Sequence, residues 1–170
     1  MESKDIINFY TQMENSGIEI WINGGWGVDA LLGEQTRPHG DLDIFMEEKY
    51  VPKLRELLGK EGYQEIKLEI ARPHNFVLGD NDGREIDVHV ITFDDKGQII
   101  YGPIENGEIY PPDLFSGVGI INGIKIKCIS LEWVMKWHTG YTPRENDIKD
   151  VSALCQKFDI DYPEGYKHFK

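Results

Sequence analysis

The chain has 170 residues, a formal net charge of −12 and two cysteines. This length suits a single domain, residues 1–170, with a substantial core and a C-terminal helical portion from about residue 130. The negative charge argues against nucleic acid as a partner, because binding to phosphate backbones needs clustered lysine and arginine. It would attract a cationic small molecule, and simple solubility is an equally good explanation.

The first half of the chain predicts alternating helices and strands. Apolar residues at helical spacing predict a first helix that ends near residues 16–17: Ile6, Ile7, Phe9, Tyr10 and Met13. A short strand at 19–23 leads into a helical run that two glycines open, and residues 34–40 predict a loop. A strand from residue 41 precedes a third helix, whose apolar residues begin at Val51 and which ends at Gly62.

The second half predicts hairpins followed by helices. Alternating or apolar runs predict strands at residues 64–70, 76–79, 84–93, 118–121 and 124–128. The sequences Asn81-Asp82-Gly83 and Asn122-Gly123 are typical of hairpin turns. Residues 94–112 are rich in glycine, proline and aspartate and predict a loop with a short strand near Ile99.

Two helices are predicted near the C-terminus. Ser130 can cap a helix over residues 131–138, and Pro143 suits the start of a last helix that reaches about Phe158. Trp133, Trp137 and Tyr141 recur at a spacing of four, which places them on one helical face. Packing in the core is the favoured interpretation of that face, and the alternative is an apolar wall against a substrate.

The cysteines and the apolar runs of the sequence indicate the cellular compartment of the protein. Cys128 and Cys155 lie far apart in apolar surroundings, so we expect two buried free thiols rather than a disulfide or a metal site. No apolar run approaches the length of a membrane span, and the N-terminus lacks a signal-peptide pattern. We therefore expect a cytoplasmic protein without a membrane partner.

The most informative stretch combines Gly24 and Gly25 with the D-L-D triplet at 41–43. Glycines at a helix N-terminus allow close approach of a phosphate, and the free N–H groups there attract anions. Residues two apart share one face of a strand, so Asp41 and Asp43 project together while the apolar residues face the core. Because Mg²⁺ usually takes one or two carboxylates and leaves positions for phosphate oxygens, the stretch predicts a nucleotide site with a metal.

Further candidates lie near this stretch and on a later strand. Arg37 is our first choice for gripping a triphosphate, since a guanidinium can bind phosphate oxygens in a forked geometry. His39 lies in the same loop, with a structural role as the alternative to a functional one. On the strand at 84–93, Asp87 and His89 share one face. His89 could therefore orient a carboxylate or contact a substrate.

These motifs resemble the antibiotic nucleotidyltransferases, namely the lincosamide enzymes and the aminoglycoside 2''-adenylyltransferases. The resemblance is carried by G-G-W-G-V-D at 24–29, R-P-H-G-D-L-D-I at 37–44, I-D-V-H at 86–89, C-I-S at 128–130 and H-T-G-Y at 138–141. It covers the chain from about residue 18 to about residue 154. It implies an α+β fold of the polymerase-β-like nucleotidyltransferase type, in which a mixed β-sheet is flanked by helices.

The resemblance also implies roles for individual residues. Asp41 and Asp43 would hold the nucleotide-bound metal, and Asp87 would complete a second metal site and take the proton of the acceptor hydroxyl. Two Mg²⁺ ions and ATP, or another nucleoside triphosphate, are expected. Lys149 would reach the triphosphate, and Tyr141 is a candidate contact for the substrate, with His89.

The function implied is transfer of a nucleoside monophosphate, in first place AMP, to a hydroxyl of a small antibiotic. The residue matches favour a lincosamide, whereas the acidic charge suits a polycationic aminoglycoside. A non-enzymatic module of a toxin–antitoxin or regulatory pair is a further alternative, against which the intact carboxylates argue. A transferase acting on nucleic acid ends fits the charge poorly, and the sequence leaves the oligomeric state open.

Overall fold

The computed structural model describes residues 1–67 and 74–169 of the chain. Its helices are α1 (Ser3–Asn15), α2 (Gly24–Leu32), α3 (Val51–Lys60), α4 (Leu131–Trp137) and α5 (Glu145–Phe158). Its strands are β1 (Ile20–Ile22), β2 (Asp41–Glu47), β3 (Gln64–Ile66), β4 (Asn75–Gly79), β5 (Glu85–Phe93), β6 (Ile99–Tyr101), β7 (Glu108–Tyr110), β8 (Gly117–Ile121) and β9 (Ile124–Cys128).

The strands form one mixed sheet in the order β3-β4-β5-β2-β1-β9-β8. The pairs β2–β5 and β1–β9 are parallel, and the other neighbours are antiparallel. The β6–β7 hairpin pairs with the last residues of β5. The register of the central pair sets Asp43 directly beside Asp87, which brings two distant parts of the sequence into one site.

Two hydrophobic clusters cover the two faces of the sheet. One joins α1 and α3 to the buried face of β2, where Leu42, Ile44 and Met46 lie. The other holds Phe45, α4 and part of α5. Because side chains alternate along a strand, Asp41 and Asp43 emerge on the same face as Phe45, towards α4 and α5. The alternation in D-L-D-I-F therefore fixes the side on which the site is built.

Most predicted elements are confirmed, including the mixed sheet flanked by helices and both hairpin turns. Cys128 and Cys155 are free and buried, and burial raises the pKa of Cys128 to about 12. No helix in the described part of the chain is long and apolar enough to cross a bilayer. The predicted strand at 64–70 begins as expected, while residues 68–70 lie outside the described part.

Three predictions need correction. Strand β7 lies in a region that the sequence predicted to be loop, because glycine and proline there shape the ends of a hairpin. Helix α4 ends at Trp137, so Tyr141 does not share a helical face with it. Helix α5 begins at Glu145 with Arg144 as its N-cap, so Pro143 precedes the helix instead of starting it.

Candidate active site

A carboxylate cluster, made of Asp41, Asp43, Asp87 and His89, lies where β2 and β5 run side by side. One ligand atom each of Asp43, Asp87 and His89 lie within 4.8 Å of one another. The imidazole Nε2 of His89 is 3.7 Å from Asp43 Oδ1 and 3.9 Å from Asp87 Oδ1. Within residues 1–67 and 74–169, no lysine or arginine forms an ion pair with these carboxylates. The oxygen-rich, uncompensated cluster fits a divalent cation.

The electrostatics of Asp87 reflect this excess of negative charge. Burial raises the pKa of Asp87, and the nearby charges of Asp43 and Asp41 raise it further. The imidazole of His89 and a hydrogen bond from Asn75 act in the opposite direction without cancelling the rise. A cation bound between the carboxylates would favour their ionised forms.

Asn75, at the start of β4, is a member of the site that the sequence did not indicate. Its side-chain amide donates to Asp87 Oδ1 at 2.9 Å and lies 3.0 Å from His89 Nδ1. The antiparallel register of β4 and β5 pairs Asn75 with His89, which explains this contact. A single asparagine ahead of an apolar run carries no sequence signal, because only the strand pairing aims it at Asp87.

The two glycines fit the site for different steric reasons. Gly24 has φ +57°, and a Cβ there would lie 2.0 Å from Asp43 Oδ2. A Cβ on Gly25 would lie 2.3 Å from His39 Nδ1 and 2.7 Å from Arg37 Nη2. Of the two glycines, Gly24 has the positive φ that disfavours other residues, and Gly25 does not. The N-terminus of α2, with its free N–H groups, lies directly against Asp43.

A second group, the arginine network, supports the glycines and consists of Asp29, Thr36, Arg37, His39 and Asp150. Arg37 donates to both carboxylate oxygens of Asp150, at 3.0 and 2.8 Å, and to His39 Nδ1 at 3.0 Å. His39 Nε2 bonds Asp29 at 2.5 Å, and Thr36 donates its N–H and hydroxyl to Asp29. Because arginine can only donate, His39 accepts at Nδ1 and donates at Nε2.

Three members of the arginine network are almost fully buried. Asp29, His39 and Asp150 are 1%, 7% and 4% exposed, and the His39 ring packs on Trp26 with centroids 4.6 Å apart. The hydrogen bond to Asp150 raises the pKa of Arg37 above its ordinary value. His39 therefore has a structural place in the fold, and Arg37 reaches the site as part of an ion pair.

A cavity of about 450 Å³ opens between these two groups and the C-terminal helices. It is lined by Asn23, Gly24, Gly25, Arg37, Asp41, Asp43, Ile129, Val134, Trp137, His138, Tyr141, Arg144, Asp147 and Asp150. Arg144 donates to both oxygens of Asp147, at 3.0 and 3.1 Å. Asp147 and Asp150, three residues apart on α5, thus hold two guanidinium groups at the cavity wall. The spacing of three between Asp147 and Asp150, just after Arg144, is the sequence signal that could have indicated this part of the cavity wall.

Lys149 is placed apart from the other predicted residues. Its amine bonds Glu145 at 2.6 Å, and the two side chains are 60% and 83% exposed. Arg37 and Tyr141 line the cavity, whereas Lys149 is not one of the described residues that line it. On α5, positions 147 and 150 face inward and position 149 faces solvent, so contact of Lys149 with a triphosphate stays a prediction.

A group of packed aromatic side chains extends from the His89 ring of the carboxylate cluster. Phe45 lies 5.0 Å from the His89 ring and 5.9 Å from those of Tyr101 and Trp137. Tyr110, on the unpredicted strand β7, packs against Trp137 at 5.7 Å. An aromatic wall next to the His89 ring is thus formed by Phe45 on β2, Tyr101 and Tyr110 on the β6–β7 hairpin, and Trp137 on α4.

Comparisons with known proteins find similarity to antibiotic resistance proteins and adenylyltransferases. The model of the aminoglycoside-2''-adenylyltransferase family matches residues 5–154. A lincosamide resistance protein of Staphylococcus haemolyticus is 32% identical over 153 residues, which is 89% of this chain and 92% of that protein. The crystal structure of a lincosamide antibiotic adenylyltransferase with bound lincomycin superposes with a TM-score of 0.80 at 30% identity, over 91% of this chain and 96% of that one.

A more distant likeness concerns the fold. The structure of ANT(2'')-Ia with adenylyl-2''-tobramycin has a TM-score of 0.70 at 19% identity, over 92% of this chain and 88% of that chain. At this level of identity, the likeness extends to the arrangement of helices and strands.

Proposed function

The chain belongs to the aminoglycoside-2''-adenylyltransferase family and is a nucleotidyltransferase, and on this premise we propose that it transfers AMP from ATP to a hydroxyl group of a lincosamide. A lincosamide modified at a hydroxyl loses contacts with its target, so the outcome is resistance. The observation that carries the proposal is the carboxylate cluster, which has no cationic side chain paired with it in the described residues and opens beside the glycine-bounded end of α2.

The nucleotide is proposed to lie in the cavity with its phosphates at Gly24 and Gly25. The free N–H groups at the start of α2 suit phosphate oxygens, and Arg37, next to Gly25, and Arg144 supply positive charge in the lining of the cavity. Asp41, Asp43 and Asp87 would hold two Mg²⁺ ions, which when bound neutralise developing charge and align the displacement at phosphorus.

The chemical step needs one proton acceptor. The acceptor hydroxyl oxygen attacks the α-phosphorus, a new P–O bond forms, and the bond to pyrophosphate breaks. The hydroxyl proton passes to Asp87, whose carboxylate is fixed by the Asn75 amide at 2.9 Å. A carboxylate next to cations is only weakly basic. Asp87 therefore acts as the base through its position beside the reacting hydroxyl.

The acceptor class is argued from the aromatic wall and the relatives. The half-buried members of this wall, Tyr101, Tyr110 and Trp137, offer aromatic surface to an acceptor, and buried Phe45 supports them from below. Such a surface suits a partly apolar antibiotic. The similarity to a lincosamide resistance protein over 89% of the chain supports the same class.

An aminoglycoside is the second candidate. The matching family model is named for 2''-adenylyl transfer to aminoglycosides, and the net charge of −12 would attract a polycation. A non-enzymatic regulatory module is set aside, because the chain belongs to an enzyme family and keeps all three carboxylates. Action on nucleic acid ends remains disfavoured by the charge.

One experiment separates these acceptors. The protein is incubated with Mg²⁺, each of the four nucleoside triphosphates, and a panel of lincosamides and aminoglycosides. Mass spectrometry then tests each antibiotic for an added nucleoside monophosphate. We expect the AMP adduct on lincosamides only. Adducts confined to aminoglycosides would replace our proposal by the second candidate, and no adduct on either class would refute both.

A further inference from the structure

Asn75 has an unusual position among the described residues, since one amide group serves two members of the carboxylate cluster. Its Nδ2 lies 2.9 Å from Asp87 Oδ1 and 3.0 Å from His89 Nδ1. A primary amide has two hydrogens on that nitrogen, so both contacts are satisfied together. The carboxylate can accept one of them, which fixes the orientation of the amide and leaves the second N–H for His89.

The orientation of Asn75 determines which nitrogen of His89 carries a hydrogen. His89 Nδ1 faces the amide N–H, and a ring nitrogen that already carries a hydrogen cannot accept another. The Tyr101 hydroxyl, 3.2 Å from the same nitrogen, can donate as well. In the neutral ring the hydrogen is therefore on Nε2, which points between Asp43 and Asp87 at 3.7 and 3.9 Å.

We infer that Asn75 is a positioning residue of the transfer reaction, which locks Asp87 and keeps His89 a hydrogen-bond donor towards the reacting groups. This inference rests on the proposed reaction. It separates His89 from the metal ligands although its distances to Asp43 and Asp87 suit a shared ion. A ligand nitrogen needs a free lone pair, and Nε2 has none in this arrangement.

Packing around His89 supports a fixed ring. Its side chain is 18% exposed, and the rings of Phe45 and Tyr101 lie 5.0 and 5.8 Å away. A flip that exchanged the two ring nitrogens would also break the contact of Nδ1 with the Asn75 amide. The N–H of His89 is thus directed at the space that the carboxylates share with the acceptor hydroxyl or the phosphate.

The direct test uses nitrogen NMR of the full chain labelled in histidine. We expect His89 to show a hydrogen-free Nδ1 and a hydrogen-bearing Nε2, both without metal and after addition of Mg²⁺ with a non-hydrolysable ATP analogue. In Asn75→Asp, the carboxylate replaces the donor, so the hydrogen should move to Nδ1. A hydrogen-free Nε2 in the unmodified protein overturns the inference, and this readout does not depend on which antibiotic is the acceptor.

Metal binding provides the second test, with Mn²⁺ as a paramagnetic probe. His89→Gln should leave Mn²⁺ affinity nearly unchanged, whereas Asp43→Asn should weaken it strongly. If His89→Gln weakens Mn²⁺ binding as much as Asp43→Asn does, His89 is a ligand and the inference is wrong.

Kinetics test the positioning of Asp87. Removal of a group that orients a metal ligand or base typically costs about 10–100-fold in activity. We expect Asn75→Ala to lower kcat by about that factor, with little change in the nucleotide KM. Asn8→Ala on the exposed side of α1 is the control and should behave as the unmodified protein. A fall in Tm for Asn75→Ala with an unchanged kcat would reduce Asn75 to a structural residue.

Discussion

The carboxylate cluster and the arginine network lie on opposite sides of Gly24 and Gly25, the first residues of α2, and they differ in how their charges are compensated. In the arginine network, each charge already has a partner, and Asp29, His39 and Asp150 are almost fully buried. In the carboxylate cluster, Asp41 is exposed and Asp43 and Asp87 are half-buried, and burial and neighbouring charges raise the pKa of Asp87. The first region is complete without a ligand, and the second has a charge excess that a cation would relieve.

The comparison shows how the two regions depend on each other. Gly24 touches Asp43 and Gly25 touches the His39–Arg37 pair, so one dipeptide separates the two regions. On one side, the hydrogen-bonded arginine network packs against the N-terminus of α2. On the other side, the like charges of the carboxylate cluster repel one another. We expect substitutions in the carboxylate cluster to affect chemistry with little loss of fold, and substitutions at the network to affect both.

The largest effect is expected for Asp41→Asn and Asp43→Asn. Both side chains face the cavity, so the variants should fold, while turnover falls by about a hundred- to a thousandfold or more because charge stabilisation at phosphorus is lost. Steady-state kinetics and circular dichroism measure the two properties. Near-normal turnover in either variant would show that the carboxylate is not a metal ligand.

Asp87→Ala separates the base from the nucleotide site. Loss of a general base usually costs about 10²–10⁴-fold, so kcat should fall at least about a hundredfold. Nucleotide affinity, measured by calorimetry with a non-hydrolysable analogue, should change much less, because Asp41, Asp43 and the glycines remain. Lost nucleotide binding with normal turnover at saturation would show that Asp87 only holds the nucleotide and that another residue, with Glu85 as a first candidate, takes the proton.

Gly25→Ala tests the contact between the two regions. The added Cβ would meet His39 at 2.3 Å, and overpacking of this kind typically costs about 1–3 kcal/mol. We expect a lower Tm together with a raised nucleotide KM. Gly40→Ala, in the loop that carries Arg37 and His39, is the control, since a Cβ there meets nothing within 4 Å. Equal behaviour of the two variants would remove the steric argument for Gly25.

A smaller effect concerns stability without metal. The pKa of Asp87 is raised in the folded protein, so its charge opposes folding at neutral pH, and this penalty disappears as pH falls below the unfolded pKa. Asp87→Asn should therefore raise the Tm at pH 7 in chelator and leave it unchanged in acid.

The matched control has the opposite sign. Although burial alone would raise it, the hydrogen bonds and charge of Arg144 lower the pKa of Asp147. Asp147→Asn should thus lower the Tm at neutral pH. Thermal melts across pH in chelator measure both variants, and a destabilised Asp87→Asn would contradict the picture of a strained cluster.

The smallest effect is expected for Lys149→Met. Its amine pairs with exposed Glu145, and exposed ion pairs contribute little, so the nucleotide KM should stay within about twofold. Arg144→Gln, which removes a guanidinium from the cavity wall, should raise that KM by about tenfold. The reverse ranking would restore the sequence-based assignment of Lys149 to the triphosphate.

The sequence by itself determined the framework of the site. Local periodicity places Asp41 and Asp43 on one face of β2, and glycines at 24–25 open a helix, because these features depend only on alternation and helix geometry. The hairpin turns and the faces of β5 followed from the same short-range rules.

The tertiary structure decided which side chains of the site contact one another. Asp87 is beside Asp43 through a parallel register between strands 44 residues apart in the chain, and Asn75 reaches both Asp87 and His89 through the pairing of β4. Arg37 and Asp150, 113 residues apart, meet because α5 packs on α2. Lys149 and Asp150 are adjacent in sequence, yet one faces solvent and the other the cavity. Only the rotation of a packed helix makes that distinction, and no local pattern encodes it.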